Sequence, residues 1–286
     1  MAHSRIVRHA SAIGQWEMVH GEPPLALRPY IREYIGWLEH MASPLCRREL
    51  PTEIIPVIIN FGSAVRIFDG EDLTRWTDYS SFTTGAYDTY VLVGSAGPSG
   101  GLQINFTILG ARLFLGRPLA DLTNQVVPLD DVLGPSTSGL IGELHDAPSW
   151  EQRFAIVDRE VIKRLAIARA VAPEVLCSWH RLARTHGQAP IADLVRETGW
   201  SQKHLIARFR EQLGLAPKTL ARVLRFGRAV TLIKTQRTQR LSDVALECGY
   251  YDQAHFSRDV AEFAGVSPRD LIKSLLPDFG GFQVDR

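Results

Sequence analysis

Two stretches decide the reading: residues 191–218, IADLVRETGWSQKHLIARFREQLGLAPK, and residues 241–269, LSDVALECGYYDQAHFSRDVAEFAGVSPR. Each opens with apolar or small residues at i, i+3, i+4 and i+7. These are Ile191, Leu194, Val195 and Thr198 in the first, and Leu241, Val244, Ala245 and Cys248 in the second. That spacing marks one face of a helix. Gly199 and Gly249 follow at once, where a left-handed residue ends a helix at no steric cost. An aromatic comes next, then a residue able to cap a new helix (Ser201 or Asp252) and a second amphipathic segment. The pattern predicts a helix, a tight turn and a second helix at a steep angle, twice in one chain. That is how a protein presents a helix to the DNA major groove.

Between the copies lies APKTLARVLRFGRAVTLIKTQ, a predicted helix with Pro217 near its first turn and no break until about Gln236. About eighteen residues at 1.5 Å each make a rod of roughly 27 Å, comparable with one turn of B-DNA, about 34 Å. Such a rod predicts that both second helices enter successive major grooves from one side.

Helix geometry sends Leu205, Phe209 and Leu213 to the core of the first unit and Phe256 to that of the second. Gln202, Lys203, Ile206, Ala207 and Arg210 remain on the open side, with Gln253, Ala254, Ser257 and Arg258 in the second unit. These are the base-reading candidates. Arg can grip guanine O6 and N7, Gln can grip adenine, and Ile206 or Ala207 can meet a thymine methyl. Lys218, Arg222, Arg225 and Arg269 are the phosphate candidates, which position a protein without reading sequence. His204 and His255 recur at equivalent places, as groove contacts or as packing at the helix start.

The charge distribution agrees. Residues 174–286 hold 17 Lys and Arg against 12 Asp and Glu, a net of +5, and the remaining 15 against 19 leave residues 1–173 at −4. Residues 201–240 carry ten basic side chains and one acid, Glu211. A segment that is basic only where the repeated motif lies is the footprint expected of a phosphate-backbone binder.

GYYDQAHFSRDVAEFAGVSPRDL resembles the second helix-turn-helix signature of the AraC/XylS family of bacterial transcription regulators, and WSQKHLIARFREQLGLAP resembles its partner. The likeness covers about 100 residues, with the glycine, the cap, the aromatic, Arg258, Gly265 and Pro268 in register. Two positions depart from the family's usual pattern: Val260 is smaller, which predicts looser packing, and Ala207 is apolar, which predicts weaker base readout by the first helix. RPYIREYIGWLE and TNQVVPLDDVLG also resemble an N-terminal domain found fused to this DNA-binding domain. The resemblance implies double-stranded promoter DNA as partner, RNA polymerase as a further one, a small-molecule effector in a β-rich N-terminal domain, and a homodimer formed through that domain.

The N-terminal half fits such a domain. After a helix expected over Arg28–His40, with Tyr30, Tyr34 and Trp37 on one side, come short strand-like runs at 54–61, 64–68, 89–94 and 102–109. Pro56 argues for an edge or a bulge in the first run. The expectation is a small cupin-like β-barrel or sandwich with flanking helices, in an α+β chain whose C-terminal domain is all-α, two helix-turn-helix units joined by a long helix. From Gly110 helices take over, with Pro118 suited to a first turn. Ser149 and Gln152 form a capping box ahead of a stripe of Phe154, Val157, Val161 and Leu165, which would pack on its own barrel or form a dimer. The junction falls near 168–173, giving domains 1–170 and 171–286.

Cys46, Cys177 and Cys248 stand singly, which suits a reducing cytoplasm. The longest apolar run is too short to cross a bilayer, and the N-terminus lacks an apolar signal-peptide core. The chain shows no H-x-H pair for a cupin metal, no clustered cysteines and no nucleophile-elbow, P-loop, zincin or dinucleotide motif. A non-enzymatic protein without metal or cofactor is the expectation. Its rivals are an interaction module with degenerate DNA binding and, further off, a cupin-type enzyme.

Overall fold

The computed structural model describes residues 4–95, 97–235, 240–277 and 281–284. Strands β1 (Ser4–Ser11), β2 (Gly14–Gly21), β3 (Ile31–Met41), β4 (Cys46–Glu49), β5 (Ile54–Asn60), β6 (Val65–Asp69), β7 (Asp72–Tyr79), β8 (Phe82–Thr84), β9 (Val91–Ser95) and β10 (Ser99–Thr107) come first. Helix α1 (Ile108–Phe114) follows, then β11 (Val126–Pro128), α2 (Leu129–Leu133), α3 (Thr137–Asp146) and α4 (Trp150–Ile167). The strands form two antiparallel sheets, β1-β2-β3-β10-β5-β8-β11 and β4-β9-β6-β7. This is the sandwich expected, but the barrel is not closed. Among the described residues the long sheet keeps free edges at β1 and at β11, which has three residues, whereas closure needs an unbroken ring of paired strands.

The helix expected over Arg28–His40 is instead strand β3, paired with β2 on one side and β10 on the other. The β10–β3 register shifts between Asn105 and Phe106, so that Asn105 pairs with Glu33 but Phe106 with Ile31. Arg32 is therefore the extra residue of a bulge. The bulge lets Ile31 and Tyr34, three residues apart, both reach the core, where they are 0% and 1% exposed. Tyr34 and Trp37 lie beyond the bulge and face opposite sides of the sheet, Tyr34 on Phe154 and Trp37 over Gly101, so two packed faces imitate one helical stripe. Pro56 sits opposite Asn105 in an interior strand, next to this irregularity and just before pairing with β8 starts at Val57. Among the other runs the strands lie close to where the spacing put them.

Helix α4 covers the long sheet. Ser149 accepts from the Gln152 amide, as the capping box predicts, and Phe154, Val157 and Val161 are buried. Phe154 stacks on Tyr34 at 5.1 Å, and Gly36 leaves room for the Trp150 ring, which would stand 2.5 Å from an added methyl group. The stripe thus packs on its own sheet. Each fully buried apolar side chain contributes about 1.5–3 kcal/mol. Pro118 precedes a short 3-10 turn over 119–122 rather than beginning an α-helix.

The C-terminal region is helical: α5 (Pro173–Arg184), α6 (Ile191–Thr198), α7 (Gln202–Leu213), α8 (Pro217–Thr235), α9 (Leu241–Glu247), α10 (Gln253–Ala264) and α11 (Pro268–Lys273). Its core is continuous with that of the sheets. The chain then returns: β12 (Phe282–Gln283) adds to the edge of the smaller sheet by pairing with β4, and the Val284 amide donates to the Cys46 carbonyl at 2.9 Å. Phe282 is buried, with the Lys234 ammonium 4.8 Å from its ring centroid.

Candidate nucleic-acid interface

Helices α6 and α7 form the first unit. Gly199 stands at φ 69°, its amide donating to Val195, and Ser201 caps α7 by accepting from the His204 amide. Helices α9 and α10 repeat the arrangement, with Gly249 at φ 77° and Asp252 accepting from the His255 amide at 2.6 Å. The core positions are as the helical spacing requires: Leu205, Phe209, Leu213 and Phe256 are all 0% exposed. Val260 is also fully buried despite its size. Burial pushes the Cys248 thiol up to about 11, which keeps it a protonated core group. His204 and His255 meet Trp200 and Tyr250 edge-on at 4.5 and 5.3 Å. Each imidazole thus packs on the aromatic of its own turn.

The open side of α7 presents Gln202, Lys203, Ala207 and Arg210 to solvent, with Ile206 half-buried. That of α10 presents Gln253, Ala254 and Arg258. Ser257 is half-buried and donates back to the Gln253 carbonyl at 2.8 Å. Arg258 Nε lies 3.4 Å from the Ala254 carbonyl, which steers the guanidinium along its helix. All nine remain on the surface with the N-terminal half in place. The first turns of both helices, where base readers sit in helix-turn-helix proteins, are uncovered.

The four phosphate candidates divide. Lys218 and Arg269 are exposed, with no ion pair among the described residues. Arg222 is held inside the domain, with Nε and Nη2 on Asp259 Oδ1 at 3.2 and 2.7 Å and Nη1 on Glu262 Oε1 at 2.9 Å. The Glu262 hydrogen bond, helped by Asp259, raises the guanidinium's proton affinity further, and Arg222 in turn lowers the Glu262 carboxyl. Arg225 donates to the Gly187 carbonyl at 2.8 Å, and its guanidinium lies 5.7 Å from the Tyr250 ring centroid. Both arginines therefore join helices to one another rather than wait for phosphate. Counting charge along a helix could not reveal this, because their partners lie across the domain in α10 and before α6.

One exposed group escaped the sequence reading. Tyr251 is 88% exposed, directly before the cap of α10. The signal was one of length: two residues separate Gly249 from Asp252, but only one separates Gly199 from Ser201.

Residues 194–274 match the family model of a helix-turn-helix domain. The HTH-type transcriptional activator RhaR of Yersinia pseudotuberculosis is 31% identical over 80 residues, which are 28% of this chain and 27% of that protein. RhaR of Yersinia pestis matches equally. The match thus spans about a quarter of these curated relatives. Among solved structures, ToxT from Vibrio cholerae O395 is similar at TM-score 0.45 and 11% identity, over 81% of this chain and 96% of that one. The AraC-like transcriptional activator CuxR is similar at TM-score 0.33 and 14% identity, over 69% and 74%.

Proposed function

We propose that this chain, whose residues 194–274 match the model of a helix-turn-helix domain, is a sequence-specific DNA-binding transcription regulator of the AraC type. Its N-terminal sandwich takes a small-molecule effector, and promoter DNA and RNA polymerase are its macromolecular partners. One observation carries the DNA reading: two recognition helices, each capped and each with an uncovered first turn, occur in one polypeptide. Gln202, Lys203, Ile206, Ala207 and Arg210 meet one DNA segment, and Gln253, Ala254, Ser257 and Arg258 meet the next. Lys218 and Arg269 hold phosphates.

Selection of bound duplexes from a random pool, with the full chain, tests this. Recovery of two short sub-sites about one helical turn apart supports it. A pool that stays random through successive rounds counts against it. For the effector, thermal-shift screening of small metabolites on the same chain should yield compounds that raise Tm by mass action and alter DNA affinity. Compounds that raise Tm yet leave DNA affinity unchanged would separate ligand binding from regulation.

A further inference from the structure

The N-terminal half meets the two recognition helices at corresponding places. Gly214 caps the C-terminus of α7 at φ 84°, and its carbonyl accepts from Thr123 Oγ1 at 3.0 Å. A methyl group on Gly214 would stand 2.9 Å from that oxygen and 3.3 Å from the Ala86 Cβ. Gly265 caps the C-terminus of α10 at φ 68°, where a methyl group would stand 2.5 Å from Cε1 of Tyr90. Tyr90 is fixed in turn by its hydroxyl, which donates to Glu71 at 2.6 Å, and by the Arg48 guanidinium 4.9 Å from its ring centroid.

The two contacts are parts of one body. Ala86 and Tyr90 belong to the β8–β9 connection, and Thr123 ends the 3-10 turn after α1. The Asn124 amide donates to the Ala86 carbonyl and the Gly85 amide to the Gln125 carbonyl, both at 3.1 Å. Asn124 and Asp88 then bond reciprocally: the Asp88 amide donates to Asn124 Oδ1 at 3.1 Å, and Asn124 Nδ2 donates to Asp88 Oδ1 at 2.9 Å. Asn124 does this from φ 55°, a left-handed conformation that a short polar side chain tolerates.

We propose that these joined segments clamp the C-terminal caps of both recognition helices, so that Asp88, Tyr90, Thr123 and Asn124, none of them on the reading surface, set the separation between DNA sub-sites that the protein accepts. The inference rests on the DNA reading above. Leverage explains why so small a contact matters. Each recognition helix has twelve residues, about 18 Å, so a rocking of about 10° at its capped end moves its reading end by about 3 Å. That is roughly the 3.4 Å rise of one base pair. Helix α8 fixes how far apart the units stand, and the clamp removes the rocking that would blur this distance.

The test uses the full chain and duplexes whose two selected sub-sites are moved together or apart by one or two base pairs. Wild type should lose about tenfold or more for each base pair, the cost of a mismatched position. Asn124→Gly keeps the backbone conformation but deletes both Asp88 bonds, and Thr123→Val deletes the bond to Gly214. Both should flatten the spacing profile to within about threefold while leaving affinity for a single sub-site unchanged. A spacing profile identical to wild type in both variants overturns the proposal. Hydrogen exchange of the free protein reads the clamp without DNA. Asn124→Gly should speed exchange around Gly214 and Gly265 together, and acceleration at one site alone, or at neither, rejects a single clamp. Failure of wild type to bind any duplex would instead strike the DNA reading, and leaves the exchange result to decide the clamp.

Discussion

Removing the Arg222 side chain separates a structural from a DNA-binding role. Asp259 is 4% exposed in its side chain and Arg222 is 23% exposed, and they meet at 2.7 Å. Arg222→Met keeps much of the apolar stem but strands the buried carboxylate. Breaking a buried pair from one side costs about 3–5 kcal/mol, because the remaining charge is uncompensated. Two features place this pair at the low end. Asp259 Oδ2 has no hydrogen-bond partner among the described residues, so the carboxylate is incompletely satisfied. The Glu262 arm is 56% exposed and adds little once solvent screening is allowed for. The expected loss is about 3 kcal/mol, or roughly 6–12 °C in Tm. Urea denaturation of wild type, Arg222→Met, Asp259→Leu and the double variant measures it. The double variant should recover much of the loss, since replacing both partners removes the stranded charge. A loss below about 1 kcal/mol for Arg222→Met, together with a weaker salt dependence of DNA binding, would return Arg222 to the phosphate backbone and refute this reasoning.

Gly199→Ala should cost about 1 kcal/mol, because the residue sits at φ 69° with nothing within 4 Å of the added methyl group. Gly265→Ala has nearly the same φ but meets Tyr90 at 2.5 Å, so its larger loss in the same denaturation assay isolates the clash. Equal losses would mean the ring moves aside freely. Arg258→Ala should relax base choice at one position by about 1–3 kcal/mol in a binding assay across single-base variants, and equal weakening on cognate and scrambled DNA would remove it from the readers. Acid should destabilise the fold. The carboxyls of Glu262, bonded to Arg222, and Glu33, bonded to His20, are held below their usual value near 4.5. A folded-state value below the unfolded one gives stability that is present above about pH 4.5 and is lost as pH falls through the folded value. Burial holds the Asp158 carboxyl high instead, an opposite contribution that is present at low pH and lost as pH rises. Glu262→Gln should shallow the acid limb of a stability curve, and an unchanged limb would assign the loss elsewhere.

The paired helices were legible because each depends on local rules. A 3.6-residue period, a left-handed glycine and a capping oxygen all act within about ten residues. Strand β3 reads as a helix because Tyr34 and Trp37, three residues apart, are both packed although they face opposite sides of the sheet, Tyr34 on Phe154 and Trp37 over Gly101. Strand β1 went unread because the exposed edge of the sheet carries little apolar alternation, as the burial of Ser4–Ser11 shows. The reading faces of α7 and α10 followed from the same helical periods. The commitment of Arg222 and Arg225 did not, since their partners lie 37 and 38 residues away in sequence. The contacts of Tyr90 and Thr123 were likewise invisible, being joined only through the tertiary fold.

The same sorting of charges fixes how DNA binding should respond to salt. Of the ten basic residues in 201–240, Arg208, Arg222 and Arg228 are in ion pairs. Arg225 is bonded to a carbonyl, the Lys234 ammonium sits on Phe282, and Arg237 lies outside the described residues. Lys203, Arg210, Lys218 and Arg240 remain exposed without an ion pair among the described residues, and Arg258 and Arg269 join them from the second unit. If all six cations displace counterions on docking, the base-reading Lys203, Arg210 and Arg258 as well as the phosphate-holding side chains, the slope of log K on log salt has a ceiling near −5, roughly thirtyfold in affinity between 100 and 200 mM. Counting every basic side chain of the segment together with Arg258 and Arg269 predicts about −11, roughly two-thousandfold over the same interval. Lys218→Ala should reduce the slope by about one, and Arg225→Ala should leave it alone while lowering stability. Fluorescence anisotropy on the selected duplex across a salt series distinguishes these cases. A slope steeper than about −8 would show that the internally paired arginines open toward the backbone on binding, and the partition between structural and phosphate-binding arginines would then be wrong.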